Sequence, residues 1–338
     1  MAMSEGGKMN PDIKKYLLAF ELEKIQEHKN MAVFPILCKL DHSPKYLTLK
    51  EALEKQVLVI TEVDQGGSVP ELKVLNRGEV PVLLLDGEEL AGAKQNRVLN
   101  TTILLKINSE TIIPVSCTEQ GRWSYVSDKF RESGTVMAPS IRGMKAETVA
   151  RSLESSEEYH SDQGAVWDAI EDLSQEAEVA SETGAMQDVY KSKDKDISSY
   201  LEAFECLKDQ KGILVFINGE VVGYDFLSLS GAFKMIFGKL VKSYAIEAAL
   251  KREKGKKKAD KKRAEDFLKA TAGAGDKKYQ STGLGWDYRF EGEKVVGSAL
   301  VYDKKVIHTA FFRVSKSEKV GDMSSAARRR GFRTGFVD

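Results

Sequence analysis

Short apolar runs separated by turn residues form the pattern of the first third of the chain. Residues 82–85, 103–107 and 112–115 are rich in branched side chains and are bounded by Gly, Asn or Pro, which favours strands over helices. Two earlier runs, 16–20 and 31–38, predict further strands, and the charged stretch between them predicts a turn or a short helix. The pattern predicts a sheet-rich lobe.

Helical patterns follow in the middle of the chain. Residues 130–141 predict a loop, because Gly, Pro and scattered Ser interrupt them. Residues 152–190 contain eleven acidic residues and no Lys or Arg, with one apolar stripe at helical spacing. Such a charge block is typical of a solvated helical face. An amphipathic helix at 197–207 and a long helix at 233–250 are also predicted.

Two local motifs mark the boundaries of elements. Thr48 and Glu51 form a capping-box pattern, which predicts the start of a short helix. Asn218-Gly219 predicts the tight turn of a hairpin at 212–229. Beyond Gly283-Leu284-Gly285, the chain has strand patterns at 286–290, 294–302 and 306–312.

These elements predict an α+β protein. Mixed, mostly antiparallel sheets from the N- and C-terminal thirds are expected to pack together around a central helical segment, because both sets of strands carry apolar alternation that must be buried. The predicted segments are a sheet-rich lobe at 12–130, an acidic helical segment at 145–210, a hairpin with a long helix and C-terminal strands at 211–313, and a disordered tail at 314–338.

Composition and charge narrow the classes of partner. Lys plus Arg and Asp plus Glu number 51 each, so net charge directs the chain to neither nucleic acid nor membrane. The basic block at 251–263 has nine Lys or Arg in thirteen residues and no aromatic to stack on bases, which predicts no specific nucleic-acid partner. Residues 251–263 are instead predicted to extend a helix. No apolar run approaches the roughly 20 residues of a membrane span.

The three cysteines, Cys38, Cys117 and Cys206, lie far apart without C-x-x-C spacing. This spacing indicates neither a disulfide framework nor a thiolate zinc site. A reducing, cytoplasmic location is predicted. The sequence identifies no cofactor and no metal, and it leaves the oligomeric state open.

Two polar clusters interrupt the apolar strands, Gln95-Asn96-Arg97 and the stretch 117–123, CTEQGRW. Because alternate side chains of a strand share a face, Cys117 and Glu119 are predicted to point the same way. If both clusters face one pocket, the set suits a phosphate, carboxylate or amide-bearing ligand. The residues predicted to bind a ligand are Gln95, Asn96, Arg97, Arg122, Trp123, Glu88 and Glu89.

The catalytic candidates are Glu119, Cys117 and His308. Glu119 beside two arginines is suited to accept a proton or hold a cation, whereas Cys117 needs a base, for which His308 is the candidate. A purely structural alternative is an ion pair between Arg97 and Glu119, with Cys117 as a core residue. For Cys117 alone the structural alternative is favoured, because a free cysteine is more often buried than reactive.

The order of the motifs YLTLKEAL, ITEV, VLLLDGEELAGAKQNRVLN and IPVSCTEQGRW resembles the ADP-ribosylglycohydrolase and rhodanese-phosphatase-associated protein domain family. The resemblance covers nearly the whole chain. It continues through Val166-Trp167, Thr183-Gly184, the hairpin at 218–219 with Asp225, Gly283-Leu284-Gly285 and the strand at 306–312. It adds Asp225 to the predicted ligand-binding residues, and it implies ADP-ribose and phosphoryl chemistry in the family's company.

Two functions from different classes follow from these residues. The leading hypothesis is an enzyme, for example a hydrolase, acting on a small nucleotide-derived or phosphorylated ligand, with Arg97 and Arg122 holding the anion. The alternative is a noncatalytic ligand-binding or protein-interaction module with the same polar cluster. An enzyme requires Glu119 or Cys117 near a second titratable group, whereas a module requires only donors and packing.

Overall fold

The structure is a computed structural model that describes residues 9–40, 44–64, 68–122, 124–251 and 258–314. Trp123, residues 252–257 of the basic block and residues 315–338 of the predicted tail lie outside the described residues. Within the described part, eight helices and eighteen strands are present, and every strand pair except one is antiparallel. The predicted α+β class with mostly antiparallel sheets is confirmed.

The helices are α1 (Pro11–Leu18), α2 (Leu49–Glu54), α3 (Pro139–Ser156), α4 (Gln163–Glu176), α5 (Met186–Ser192), α6 (Asp194–Ala203), α7 (Ser230–Leu250) and α8 (Lys261–Ala272). The strands of the first half are β1 (Phe20–Leu22), β2 (Gln26–His28), β3 (Met31–Cys38), β4 (Leu47–Thr48), β5 (Leu58–Glu62), β6 (Glu71–Asn76), β7 (Val82–Leu84), β8 (Glu88–Gly92), β9 (Arg97–Leu99), β10 (Ile103–Leu105), β11 (Ser109–Cys117) and β12 (Phe130–Val136). Those of the second half are β13 (Gly212–Ile217), β14 (Glu220–Leu227), β15 (Gly275–Gln280), β16 (Trp286–Glu291), β17 (Val295–Tyr302) and β18 (Lys305–Arg313).

A nine-stranded sheet joins strands from both ends of the chain. Its order is β1-β3-β13-β14-β18-β17-β16-β15, and β2 pairs with β3. The predicted N-terminal strand at 31–38 therefore lies beside the predicted hairpin, which in turn pairs with the last strand of the chain. The N- and C-terminal strands share one sheet because each buries apolar residues on its faces.

Two smaller sheets contain the candidate polar residues. One has the order β10-β7-β4, and the other has the order β12-β8-β9-β11-β6-β5. A core of Leu and Val side chains is shared between these two sheets, which include Leu84 and Leu105 of the first and Leu72 and Val115 of the second. The second sheet places β8, β9 and β11 side by side, and these strands position the candidate site.

Helix α7 packs between the large sheet and the smaller sheets. The largest core contains Phe233 and Leu240 of α7, Val215 of the large sheet and Leu83 and Val98 of the smaller sheets. On the opposite face of the large sheet, α1 and α8 form a second core. Burial of these apolar surfaces, at about 25 cal/mol per Å², is the main force that holds the layers together. None of the described helices is both long and apolar enough to cross a bilayer.

Two element predictions are wrong, and both errors come from capping signals. Residues 16–20 were expected to form a strand, but α1 occupies most of this run because the Asn10 side chain accepts hydrogen bonds from the first-turn amides and Pro11 follows it. Residues 130–141 were expected to form a loop, but they form β12 and the start of α3. Gly134, at φ 76°, lies where β12 shifts its register, and Pro139 starts the helix.

The other local motifs behave as predicted. Thr48 and Glu51 form both hydrogen bonds of the capping box at the start of α2. Asn218 and Gly219 have φ values of 52° and 73°, as the tight hairpin turn requires. The charged stretch after α1, predicted as a turn or short helix, instead contains the end of β1 and all of β2.

Candidate functional site

The candidate polar residues lie on three adjacent strands and the loops that follow them. Cys117 of β11 pairs with Arg97 of β9, and β9 in turn pairs with β8, which contains Glu88 and Glu89. All four side chains are buried. Buried polar groups need hydrogen-bond partners inside the protein, so their contacts define what each can do.

Glu119 is held by an ion pair with Arg122. The Nε and Nη2 atoms of Arg122 donate to Glu119 Oε2 at 2.9 and 2.7 Å, and the Thr183 hydroxyl donates to Oε1 at 2.9 Å. The turn fits closely on the Thr183 segment: the Gly121 amide donates to Thr183 O at 2.8 Å, and a Cβ on Gly121 would lie 2.9 Å from Thr183 Cα. Glu119 is therefore a positioned carboxylate.

The guanidinium of Arg122 uses all of its donors within the protein. Besides its two bonds to Glu119, Nη1 donates to the carbonyls of Ala93 and Ser124 at 2.8 and 2.9 Å, and Nη2 donates to Asn96 Oδ1 at 3.3 Å. A guanidinium has five N–H donors, and these five contacts account for them. Arg122 thus organises the turn, and an anion would have to displace one of these bonds to reach it.

Arg97 is completely buried and contacts a residue that the sequence analysis missed. Its Nη1 donates to Gln95 Oε1 at 3.1 Å, and its Nη2 lies 3.8 Å from Glu62 Oε1. The ion pair considered between Arg97 and Glu119 is not formed, because Glu119 pairs with Arg122. The alternation of β5, which buries every second residue through Glu62, is the signal that could have identified this partner.

Cys117 lies beneath the surface beside α4. Its backbone amide donates to Gln163 Oε1 at 2.7 Å, and Gln163 Nε2 donates to its carbonyl at 3.0 Å. Burial raises the pKa of the Cys117 thiol, although the positive charge of Arg97 acts in the opposite direction. A protonated thiol is a poor nucleophile, so the environment of Cys117 favours a structural role.

His308 has different neighbours from Cys117. Its Nδ1 lies 2.9 Å from Thr102 Oγ1, and its Nε2 lies 3.6 Å from Asp225 Oδ1. Both residues belong to the large sheet, in which Leu227 of β14 pairs with His308 of β18. The role of His308 as the base of Cys117 stays a prediction, and no contact between the described residues reported above supports it.

Glu89 is a fully buried carboxyl group with neutral partners. Thr118 Oγ1 donates to its Oε1 at 2.6 Å, and Gln187 Nε2 donates to its Oε2 at 3.0 Å. Burial raises the pKa of Glu89, hydrogen bonds from Thr118, Gln187 and Ser133 act against that rise, and the charge of Glu119 raises the pKa further. Gln187 and Ser133 are only half-buried, so the surface lies one side chain away from Glu89.

Glu88 has a different environment from its neighbour. Its Oε2 accepts from the Leu85 amide at 2.8 Å, and its Oε1 contacts the ammonium of Lys239, which also contacts Glu132. Burial by itself would lower the pKa of Lys239, but the two carboxylates raise it. Lys239 is therefore a cation whose charge is balanced inside the protein.

Asp225 belongs to a separate, fully buried ionic network. Arg142 of α3 donates to both of its oxygens, at 3.1 and 2.7 Å, and the Tyr244 hydroxyl donates to Oδ2 at 2.9 Å. Arg142 also lies 3.5 Å from Asp86, which contacts Lys145. Burial would raise the pKa of Asp225, but the charge of Arg142 holds it well below its usual range.

The structure thus separates the candidates into two groups. Gln95, Asn96, Arg97, Glu88, Glu89, Cys117, Glu119 and Arg122 lie on or next to the strands β8, β9 and β11, whereas Asp225 and His308 lie on the large sheet. Among the residues that the structure describes, no three His, Cys, Asp or Glu side chains converge as a metal site requires. The sequence analysis missed Glu62, Thr183, Gln187, Lys239 and Arg142, which come from other parts of the chain.

Comparisons with known proteins found one family. The family model described as "ARG and Rhodanese-Phosphatase-superfamily-associated Protein domain" matches residues 19–312. Neither the curated proteins nor the solved structures contained a match.

Proposed function

We propose, from the premise that this chain belongs to the ARG and Rhodanese-Phosphatase-superfamily-associated Protein domain family, that it is a hydrolase acting on a small nucleotide-derived or phosphorylated ligand. The observation that carries the proposal is the pair Glu89 and Glu119, two adjacent carboxyl groups in contrasting environments. The family name adds the theme of ADP-ribose and phosphoryl chemistry.

The contrast between the two carboxyl groups suits acid–base catalysis. Burial and the charge of Glu119 raise the pKa of Glu89, so Glu89 retains a proton that it can donate. Glu119 is held by Arg122 and Thr183 with its oxygens fixed. Pairs of titratable groups whose environments push their pKa values apart are the usual arrangement of a general acid and a general base.

A hydrolytic step can be written with these two groups alone. Glu89 donates its proton to the oxygen of the leaving group as the bond to the substrate breaks. Glu119 removes a proton from the water molecule whose oxygen forms the new bond, and solvent then returns the proton to Glu89. General acid–base catalysis of this kind contributes about 10²- to 10⁴-fold to a rate, and glycosidic hydrolysis commonly uses two carboxyl groups.

A noncatalytic binding module is the second candidate, and the closed contacts of Arg122 favour it. Arg122 directs every donor to a protein acceptor, which is the arrangement of a structural clamp. In that case the same residues would recognise a ligand without breaking a bond. Turnover separates the two candidates, since a module binds its ligand and leaves it intact.

The test is hydrolysis of a panel of ADP-ribose derivatives, nucleotides and sugar phosphates by the wild-type protein and by Glu89→Gln. We expect the rate on the cleaved compound to fall about 10²- to 10⁴-fold in Glu89→Gln, because an amide cannot donate the acidic proton. Glu110→Gln is the matched control, since Glu110 is an exposed carboxylate on β11. The control should keep the wild-type rate, and equal rates in all three proteins would exclude Glu89 as the acid.

The stability of Glu89→Gln should depend on pH in a defined direction. A carboxyl group whose pKa is raised on folding contributes stability below its unfolded pKa, about 4.3, and loses it as pH rises through the folded pKa. Glutamine has no such loss. Glu89→Gln should therefore gain free energy of unfolding relative to wild type between pH 5 and pH 8, as measured by urea denaturation, and a difference that is constant with pH would contradict the raised pKa.

A further inference from the structure

The positive charges nearest to Glu89 and Glu119 are largely committed to partners inside the protein. Arg122 makes five hydrogen bonds to protein acceptors. Lys239 contacts both Glu88 and Glu132. Arg97, the other predicted anion holder, is fully buried. None of these three side chains offers a cation ready for a ligand.

Lys242 differs from these residues. It lies three residues after Lys239 on α7 and is half-buried, with its ammonium 5.5 Å from the centre of the Tyr190 ring. Within residues 9–40, 44–64, 68–122, 124–251 and 258–314, no carboxylate lies within ion-pair distance of the Lys242 ammonium. Burial lowers the pKa of Lys242, against the more distant charges of Asp194 and Glu89.

Helix α5 connects Lys242 with the proposed acid. Gln187 and Tyr190 lie on α5 at a spacing of three residues, which places them on one face of that helix. Gln187 donates to Glu89, and Tyr190 lies under Lys242. The charge of Glu89 also affects the pKa of Lys242. The ammonium and the carboxyl group therefore face the same region between α5 and α7.

We infer that Lys242 binds the anionic group, a phosphate or pyrophosphate, of the ligand that is positioned over Glu89. This inference rests on the proposed function and names the part of the substrate that the site recognises. A half-buried ammonium interacts strongly with an anion, because the surrounding dielectric constant is lower than that of water. A protonated Glu89 does not repel the anion, whereas an ionised carboxylate in the same place would.

Binding of ADP-ribose and of inorganic pyrophosphate, measured by isothermal titration calorimetry, tests the inference. Relative to wild type, Lys242→Gln should weaken binding about 10- to 100-fold, as expected for loss of a charge-assisted hydrogen bond. Lys242→Arg keeps the charge and should retain affinity within a few-fold. Lys234→Gln, an exposed lysine on the same helix, is the matched control and should bind as wild type does.

The outcomes separate this inference from the proposed function. If Lys242→Gln binds both probes as tightly as wild type, or if wild type binds neither, Lys242 is not the anion site. If Lys242→Gln loses binding while no compound is hydrolysed by wild type, the anion site stands and the hydrolase proposal fails. If Glu89→Gln binds the probes normally but hydrolyses nothing, and Lys242→Gln loses binding, both proposals are supported. Circular dichroism of each variant confirms that the fold is retained.

Discussion

Replacement of Asp225 by asparagine is expected to lower the free energy of unfolding by about 3–5 kcal/mol. Asp225 is completely buried and accepts hydrogen bonds from Arg142 through both oxygens. Asparagine keeps the shape but removes the negative charge and turns an amide donor towards a guanidinium donor. The Arg142 cation would then lie buried beside one fewer counter-charge, and such a charge is costly.

Urea denaturation at pH 7 measures this effect, and two comparisons define its origin. Glu21→Gln removes one partner of the ion pair between Lys39 and Glu21, whose side chains are 84% and 49% exposed, and it should cost less than about 1 kcal/mol. The double variant Asp225→Asn with Arg142→Met should recover part of the loss, because it removes the uncompensated charge. A loss in Asp225→Asn no larger than in Glu21→Gln would show that the network contributes little to stability.

The penalty should shrink in acid. The charge of Arg142 holds the pKa of Asp225 well below its usual range. A carboxyl group whose pKa is lowered on folding contributes stability above its unfolded pKa, about 3.9, and loses it as pH falls through the folded pKa. The difference between wild type and Asp225→Asn should therefore be largest at neutral pH and decrease below about pH 4.

Glu119→Gln is expected to abolish turnover if the hydrolase proposal is correct, with a loss of about 10²- to 10⁴-fold. Glutamine cannot take a proton from water, although it can still accept a hydrogen bond from Thr183. The substitution also weakens two charge-assisted bonds from Arg122, so we expect a stability cost of about 1–3 kcal/mol. Rates should be measured well below the Tm of the variant.

Cys117→Ser provides the contrast for Glu119→Gln. Burial raises the pKa of the Cys117 thiol, so the thiol is mostly protonated and the serine variant should keep activity within about tenfold. Thr183→Val is the positional control, because it removes a hydrogen bond to Glu119 but leaves the carboxylate in place. If Cys117→Ser is as inactive as Glu119→Gln, covalent catalysis by the thiol replaces the acid–base proposal. Full activity of Glu119→Gln would exclude Glu119 as the base.

The candidate site shows how far local sequence patterns reach. The polar clusters at 95–97 and 117–122 were predicted to belong to one group, and their strands β9 and β11 do pair. The alternation of β11 depends on residues two apart, so it can be read directly from the sequence. The partners of these clusters cannot be read in this way, since Glu62, Thr183 and Gln187 lie at least 33 residues away from the residues that they contact.

By itself, the sequence determined the elements whose signals are local. The strand at 31–38, the capping box at Thr48 and the hairpin at Asn218-Gly219 depend on alternation, on one side-chain cap and on positive φ angles. Only the tertiary structure decided the charge environments. Glu88 and Glu89 are neighbours in sequence, yet one pairs with Lys239 and the other with neutral groups. The physical reason is that a pKa depends on burial and on charges within a few ångströms, and these come from strands and helices that only folding brings together.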